Sequence, residues 1–90
     1  MPTLRVPALL KYYLDNQTEV PVSGATVAEA LSDLVTQHPK IKSHLFDSAG
    51  NVRRHINIFV NADSIRDLSG MNTPLDADDV VKILPSVTGG

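Results

Sequence analysis

The strongest periodicity in the chain lies between Thr26 and Pro39. Apolar residues recur there at the spacing of one helical face: Val27, Ala30, Leu31, Leu34 and Val35. Thr26 and Glu29 have capping-box spacing, which predicts that the helix begins at this point. Pro39 ends it. The pattern predicts one main helix whose apolar face lies on a sheet.

Several other stretches have the two-residue alternation or the composition of strands. They are 3–6, 18–22, 55–61 and 80–84, and 64–66 is a possible further strand. Pro21 cannot donate a ladder hydrogen bond, so we expect an edge position for 18–22. No clear pattern is present in residues 8–17. A short helical turn is indicated over 41–46, and loops are indicated over 47–51 and 68–79.

Two early strands, one helix and later strands predict an α+β domain with one sheet covered by that helix. The helical stripe and the alternating strands together predict the core: Val27, Leu31, Leu34, Ile56, Ile58, Val60, Val81 and Ile83. Phe59 and Leu84 fall on the opposite face of their strands. Two outward apolar residues indicate a docking face, and a partly covered position near a sheet edge is the alternative.

Composition narrows the function classes. Ninety residues with 42% hydrophobic content make one ordinary domain, and the formal net charge of −2 gives no general affinity for nucleic acid or an anionic membrane. The chain has no cysteine, which excludes disulfides, thiolate metal sites and a cysteine nucleophile. No signal-like or membrane-spanning run is present, so we expect a cytosolic protein.

The candidate chemical clusters are weak. His38, His44 and His55 have no recognised metal-ligand spacing and lie on different predicted elements, so we expect no metal site. The cluster Asp76, Asp78 and Asp79 is typical of a turn that leads into a strand. Arg53-Arg54-His55 is either a solvated loop or a partner contact.

The sequence ends in ILPSVTGG, and neither Gly89 nor Gly90 can pack a side chain. Such an ending is a poor fold element but presents an unhindered carboxylate on a thin arm. A truncation or a cloning remnant is the alternative interpretation of the two glycines.

Several parts of the sequence together form a recognisable pattern: FVN (59–61), Pro74-Leu75, Asp79, Val81 and the closing ILPSVTGG. This pattern resembles that of the MoaD/ThiS family of ubiquitin-like sulfur carriers. The resemblance covers nearly the whole chain. It implies a β-grasp fold with one mixed sheet, a domain over 1–86 and a flexible tail over 87–90. Two positions depart from the family pattern. Asp78 replaces a usual glycine, which suggests a strained positive-φ turn, and Ser86 replaces a common proline.

The resemblance also implies a chemistry. An E1-like enzyme uses ATP to adenylate the Gly90 carboxylate, and a sulfur donor then converts it to a thiocarboxylate. The chain would be a protein cosubstrate that binds no cofactor of its own, with catalysis residing in its partners. Because the chain has no thiol, it cannot carry sulfur as a persulfide, so the Gly90 acyl group is the place left for it. The residues assigned to partner binding are Phe59, Leu84, Pro85 and Val87.

The stretch NVRRHINIFVNADSIRDL looks most like the cysteine-synthase carrier subgroup. The expected partners are therefore an E1-like enzyme and a sulfur-accepting enzyme, either cysteine synthase or the large subunit of molybdopterin synthase, with a monomer as the free state. Two other classes stay open: a ubiquitin-like modifier joined to lysines through Gly90, and a β-grasp interaction module with an inert terminus.

Overall fold

The computed structural model describes residues 1–85, including the backbone but not the side chain of Pro85. The expected flexible tail over 87–90 and the domain boundary at residue 86 lie outside the described residues. The strands are β1 (Thr3–Arg5), β2 (Glu19–Pro21), β3 (Ile56–Val60), β4 (Asp63–Ser64) and β5 (Val80–Pro85). The α-helices are α1 (Val27–Gln37) and α2 (Lys42–Leu45), and short 3-10 turns cover Ala8–Leu14, Pro39–Ile41, Ile65–Asp67 and Gly70–Asn72.

The strands form one mixed sheet in the order β2-β1-β5-β3-β4. The central pair, β1 and β5, is parallel, while the β1–β2, β3–β5 and β3–β4 pairs are antiparallel. This arrangement confirms the predicted α+β fold with one sheet and one main helix. Strand β2 lies at the edge of the sheet, where Pro21 was expected.

Helix α1 begins as the capping-box spacing predicts. The Glu29 backbone N–H donates to Thr26 Oγ1 at 3.2 Å. The Glu29 carboxylate accepts from the backbone N–H of Ala25 at 3.0 Å, one residue before the N-cap instead of the N-cap itself. The two bonds satisfy amides at the start of the helix and fix where α1 begins.

All eight predicted core residues are buried between α1 and the sheet. The register places core residues of neighbouring strands level with one another: Val81 of β5 pairs with Leu4 of β1 on one side and with Val60 of β3 on the other. Further core residues come from segments that the periodicity described poorly, and the fully buried ones include Leu14, Ile41 and Leu45.

Two expectations need correction, and one segment that the sequence left unassigned has a defined structure. Residues 8–17, left without an assignment, contain the 3-10 turn Ala8–Leu14. The possible strand 64–66 is instead the end of β4 followed by the turn Ile65–Asp67, which the Ser64 hydroxyl begins by accepting from the Arg66 N–H at 3.3 Å. The positive φ expected at Asp78 is wrong. In residues 1–85 the non-glycine residues with positive φ are Asp15, Asn16 and Asn61.

The left-handed residue near the last strand is thus Asn61, with φ 55°. Its backbone N–H donates to the Val80 carbonyl at 2.8 Å, and its Oδ1 accepts from the Val80 N–H at 3.1 Å. Its Nδ2 donates to Asp79 Oδ1 at 3.0 Å, while Asp79 Oδ2 accepts from the Asp76 N–H at 2.8 Å. We call this set the Asn61–Asp79 clasp. It joins the β3–β4 turn to the start of β5.

Hydrogen bonds explain the state of the Asp79 carboxyl. The bond from the Asp76 backbone N–H, and secondly that from the Asn61 side chain, hold the pKa of Asp79 below its ordinary value. Both bonds favour the ionised form, so folding stabilises the carboxylate.

Gly24 fits where a side chain could not. A Cβ at this position would lie 2.6 Å from the Ala30 backbone nitrogen and 2.9 Å from the Glu29 carbonyl carbon. Both atoms belong to the first turns of α1, so they cannot move without displacing the helix. Glycine is required here because the backbone approaches α1 closely.

Within residues 1–85 no helix has the length and apolar character needed to cross a membrane.

Gly24→Ala should destabilise the domain by about 1–3 kcal/mol, the usual cost of overpacking. Urea denaturation of the variant against wild type measures this loss. Ser23→Ala is the control, because Ser23 is the exposed neighbour and surface changes stay within about 0.5 kcal/mol. Equal stabilities for Gly24→Ala and wild type would contradict the close contact with α1.

Asp79→Asn should lower stability at pH 7, with a deficit that shrinks as the pH falls. Because the folded-state pKa of Asp79 is depressed, its contribution is present above the unfolded-state value of about 3.9 and is lost as pH falls through the folded-state value. Denaturation midpoints at pH 7, 5 and 3 measure the change. The exposed Asp78→Asn is the matched control, and a deficit independent of pH would rule out the carboxylate as its source.

Candidate functional site

One face of the sheet is free of the helix. Core residues alternate along β1, β3 and β5 with residues that point the other way, and we call the latter set the outer sheet face: Thr3, Arg5, Asn57, Phe59, Val80, Lys82 and Leu84. Phe59 and Leu84 therefore lie opposite the core, as the alternation predicts. Their role in binding a partner stays a prediction.

Phe59 and Leu84, two of the three apolar residues of this face, differ in exposure. Leu84 is 42% exposed, whereas Phe59 is less exposed and counts as half-buried. Phe59 lies next to the edge strand β4, where it pairs with Ser64. Phe59 pairs across β5 with Lys82, and Leu84 pairs with Asn57. Phe59 and Leu84 are thus diagonal neighbours, a relation that places side chains within reach of one another at about 7–8 Å.

Cationic side chains lie beside this apolar pair. Arg5 of β1 is level with Lys82 of β5, and its guanidinium lies 3.4 Å from Glu19 of β2. Both members of that ion pair are about half exposed, so the pair adds little to stability. The outer sheet face combines a small apolar surface with positive charge, which suits binding to another protein.

The end of the sheet from which the C-terminal segment leaves is defined by Pro85. Its backbone pairs with Ile56, the first residue of β3. Val87, Gly89 and Gly90 lie outside the described residues, and so does the side chain of Pro85. The reacting group that the sequence indicates, the Gly90 carboxylate, is therefore connected to this end by residues 86–90.

The sequence interpretation missed two exposed apolar residues near the same end. Because β1 runs parallel to β5, the turn Ala8–Leu14 that follows β1 also lies there. Leu9 is 81% exposed and Tyr12 is 78% exposed. Their spacing of three residues is that of one face of a 3-10 helix, the signal that could have identified them.

The histidines do not converge. His38 Nδ1 lies 3.8 Å from Asp15 Oδ2, the His44 ring packs on Tyr13 with centroids 4.0 Å apart, and His55 is exposed. In the part of the chain that the structure describes, no group of three or more acidic or histidine side chains is placed to hold a metal ion. The Asp76–Asp79 cluster forms a turn into β5, because Asp79 accepts from the Asp76 backbone.

Comparison with known proteins now gives this architecture a family. The ThiS family model matches residues 4–90. The sulfur carrier protein CysO of Mycobacterium tuberculosis is 36% identical over an alignment length of 90, and the alignment covers 98% of this chain and 97% of the relative.

Solved structures agree. The structure of the BexX/CysO complex from Amycolatopsis orientalis contains a chain that matches with a TM-score of 0.89 and 31% identity, over 100% of both chains. Small archaeal modifier protein 1 from Methanosarcina acetivorans matches with a TM-score of 0.85 and 32% identity, over 99% of this chain and 95% of its own. These matches confirm the ubiquitin-like β-grasp fold. The match from the first core strand to the last residue shows that this chain belongs to the ThiS family.

Proposed function

We propose that this chain is a sulfur carrier whose C-terminal Gly90 becomes a thiocarboxylate and donates sulfur in a biosynthetic pathway, with cysteine biosynthesis favoured. One observation carries the proposal: the similarity to the M. tuberculosis sulfur carrier CysO extends over 98% of the chain. The family match also runs to residue 90 and so includes both terminal glycines.

The chemistry proceeds by two displacements. A Gly90 carboxylate oxygen attacks the α-phosphorus of ATP on an E1-like enzyme, and pyrophosphate leaves. A hydrosulfide sulfur then attacks the acyl carbon, and AMP leaves with the oxygen, so the product is a thiocarboxylate without any change in oxidation state. The chain is a protein cosubstrate here, and its contribution is to present an acyl group that is free of side-chain hindrance.

The docking role belongs to the outer sheet face and the segment after it. Phe59, Leu84, Pro85 and Val87 would contact the E1-like enzyme and the sulfur-accepting enzyme, while Gly89 and Gly90 enter the active sites. The exposure of Leu84, its position one residue before Pro85, and the neighbouring Phe59 support this assignment. The favoured sulfur acceptor is cysteine synthase, and the second candidate is the large subunit of molybdopterin synthase. A monomeric free state and a cytosolic location stay predictions.

A second candidate function is conjugation to lysines through Gly90, as a ubiquitin-like modifier. The 32% identity and TM-score of 0.85 to the small archaeal modifier protein 1 of M. acetivorans favour keeping it. The two functions share the adenylate and differ in the nucleophile that attacks it, sulfide or a lysine amine. Mass spectrometry distinguishes the thiocarboxylate from an isopeptide-linked conjugate.

Leu84→Ala should weaken binding to the E1-like enzyme by about fivefold or more, because the few residues that anchor an interface each cost above about 1 kcal/mol when truncated. Calorimetric titration with that enzyme measures the change. Leu68→Ala is the matched control, since Leu68 is 44% exposed but lies outside the outer sheet face. Phe59→Ala is the less clean probe, because Phe59 is half-buried and its truncation would also lower stability. Equal weakening by Leu68→Ala and Leu84→Ala would contradict the docking assignment.

Adding one residue after Gly90 should abolish thiocarboxylate formation. The extension displaces the reacting carboxylate by a residue length, where even a 1 Å error costs about 10²-fold. The chain is incubated with an E1-like enzyme, ATP and sulfide, and its mass reports the replacement of oxygen by sulfur. Deletion of Gly90 should block the reaction equally while the denaturation midpoint stays unchanged. An extended chain that gains sulfur without being trimmed would show that Gly90 is not the sulfur-bearing residue.

A further inference from the structure

A pocket of about 420 Å³ opens beside β3, and three arginines line it: Arg53, Arg54 and Arg66. Its apolar floor includes Ile56, Ile58 and Met71. We call it the arginine pocket. The basic run 53–55 was visible in the sequence, but the approach of Arg66 from beyond β4 was not.

The pocket follows from the short edge strand. In the described sheet, β4 pairs with Phe59 and Val60 and leaves the first half of β3 without a partner on that side. The chain then turns through Ile65–Asp67 and Gly70–Asn72, which bring Arg66 to the rim and Met71 to the floor. The opening is thus a lateral entrance to the edge of the core.

The arginines are available for an external anion. In residues 1–85 the ion pairs join Arg5 to Glu19 and His38 to Asp15, so no arginine of the pocket is paired with a carboxylate. Arg53 Nε donates to the Ser43 carbonyl at 2.8 Å, which fixes its side chain at the rim. Arg54 and Arg66 are exposed. Three guanidinium groups on a chain of net charge −2 form a local field of the opposite sign.

The pocket also lies at the end of the sheet that a partner must cover. Ile56 is part of its floor and pairs with Pro85, the residue from which the C-terminal segment continues. Five residues, 86–90, span at most about 18 Å when fully extended. An enzyme that holds Gly90 in its active site therefore lies within that distance of Pro85, the residue that pairs with Ile56 of the pocket floor.

We propose that the arginine pocket receives an acidic segment of the activating enzyme. A carboxylate of that segment pairs with Arg54 or Arg66, in the two-point geometry that guanidinium favours, and a neighbouring apolar side chain packs on Ile56, Ile58 and Met71. The proposal rests on the proposed function for the identity of the partner. Its chemistry is carried by the pocket itself: positive charge over an apolar floor.

The first experiment measures carrier kinetics with the E1-like enzyme at low and high salt. Arg54→Gln and Arg66→Gln should each raise the KM for the carrier on the order of tenfold, leave kcat unchanged and reduce the salt dependence of KM. Lys40→Gln is the control, since it removes the same charge from an exposed position outside the pocket. Arg54→Lys keeps the charge without the paired donors and should recover only part of the KM.

The second experiment needs no enzyme. A capped Glu-Leu-Glu peptide is titrated into the ¹⁵N-labelled carrier, with inorganic phosphate in a parallel titration. The peptide should shift the amide signals of Ile56, Ile58 and Met71 in wild type and not in Arg54→Gln. An equal response to phosphate would make the pocket a small-anion site and overturn the proposal.

The two experiments separate the two hypotheses. Normal thiocarboxylate formation with unchanged KM in both arginine variants overturns the pocket and leaves the sulfur-carrier function intact. Absence of thiocarboxylate on wild type overturns that function, while the peptide titration still decides whether the pocket takes an acidic apolar segment. A fall in kcat without a change in KM would also overturn the proposal.

Discussion

The parallel pairing of β1 with β5 is the constraint on which the rest of the domain depends. A parallel pair requires a crossover connection, and here the crossover contains both α-helices and the remaining three strands. The pairing places Leu4 level with Val81, in the middle of the core. Because both strands run in the same direction, the turn that follows β1 and the end of β5 at Pro85 lie at the same end of the sheet.

Periodicity predicted the elements that are amphipathic and regular. Each of these features follows from local chemistry. The apolar stripe of α1 has helical spacing, and the alternation of β3 follows the pleat of a strand. Pro21 belongs at a sheet edge because it has no backbone N–H to donate. The segment Ala8–Leu14 was not assigned, because a 3-10 turn has neither the periodicity of an α-helix nor the two-residue alternation of a strand. Leu14 is fully buried all the same.

The candidate site was only partly accessible to the same reasoning. Alternation placed Phe59 and Leu84 on the outer sheet face, but it could not give their exposure, which depends on how far the short β4 covers Phe59. The arginine pocket depends on two loops that meet in space, Val52–Arg54 and Arg66–Met71. Resemblance to the family also misplaced the left-handed residue, since Asn61 adopts the positive φ that Asp78 was expected to have.

The late position of β5 in the chain has a consequence for biosynthesis. Because β5 lies between β1 and β3, the sheet cannot close until the ribosome has released residues 80–85, and earlier nascent chains consist of two unconnected sheet fragments. A chain interrupted before that point lacks its central strand and exposes Leu4, Ile58 and the apolar stripe of α1 to proteases. Folding therefore depends on nearly complete synthesis: every molecule that survives as a stable domain has been translated at least through β5, up to the start of segment 86–90.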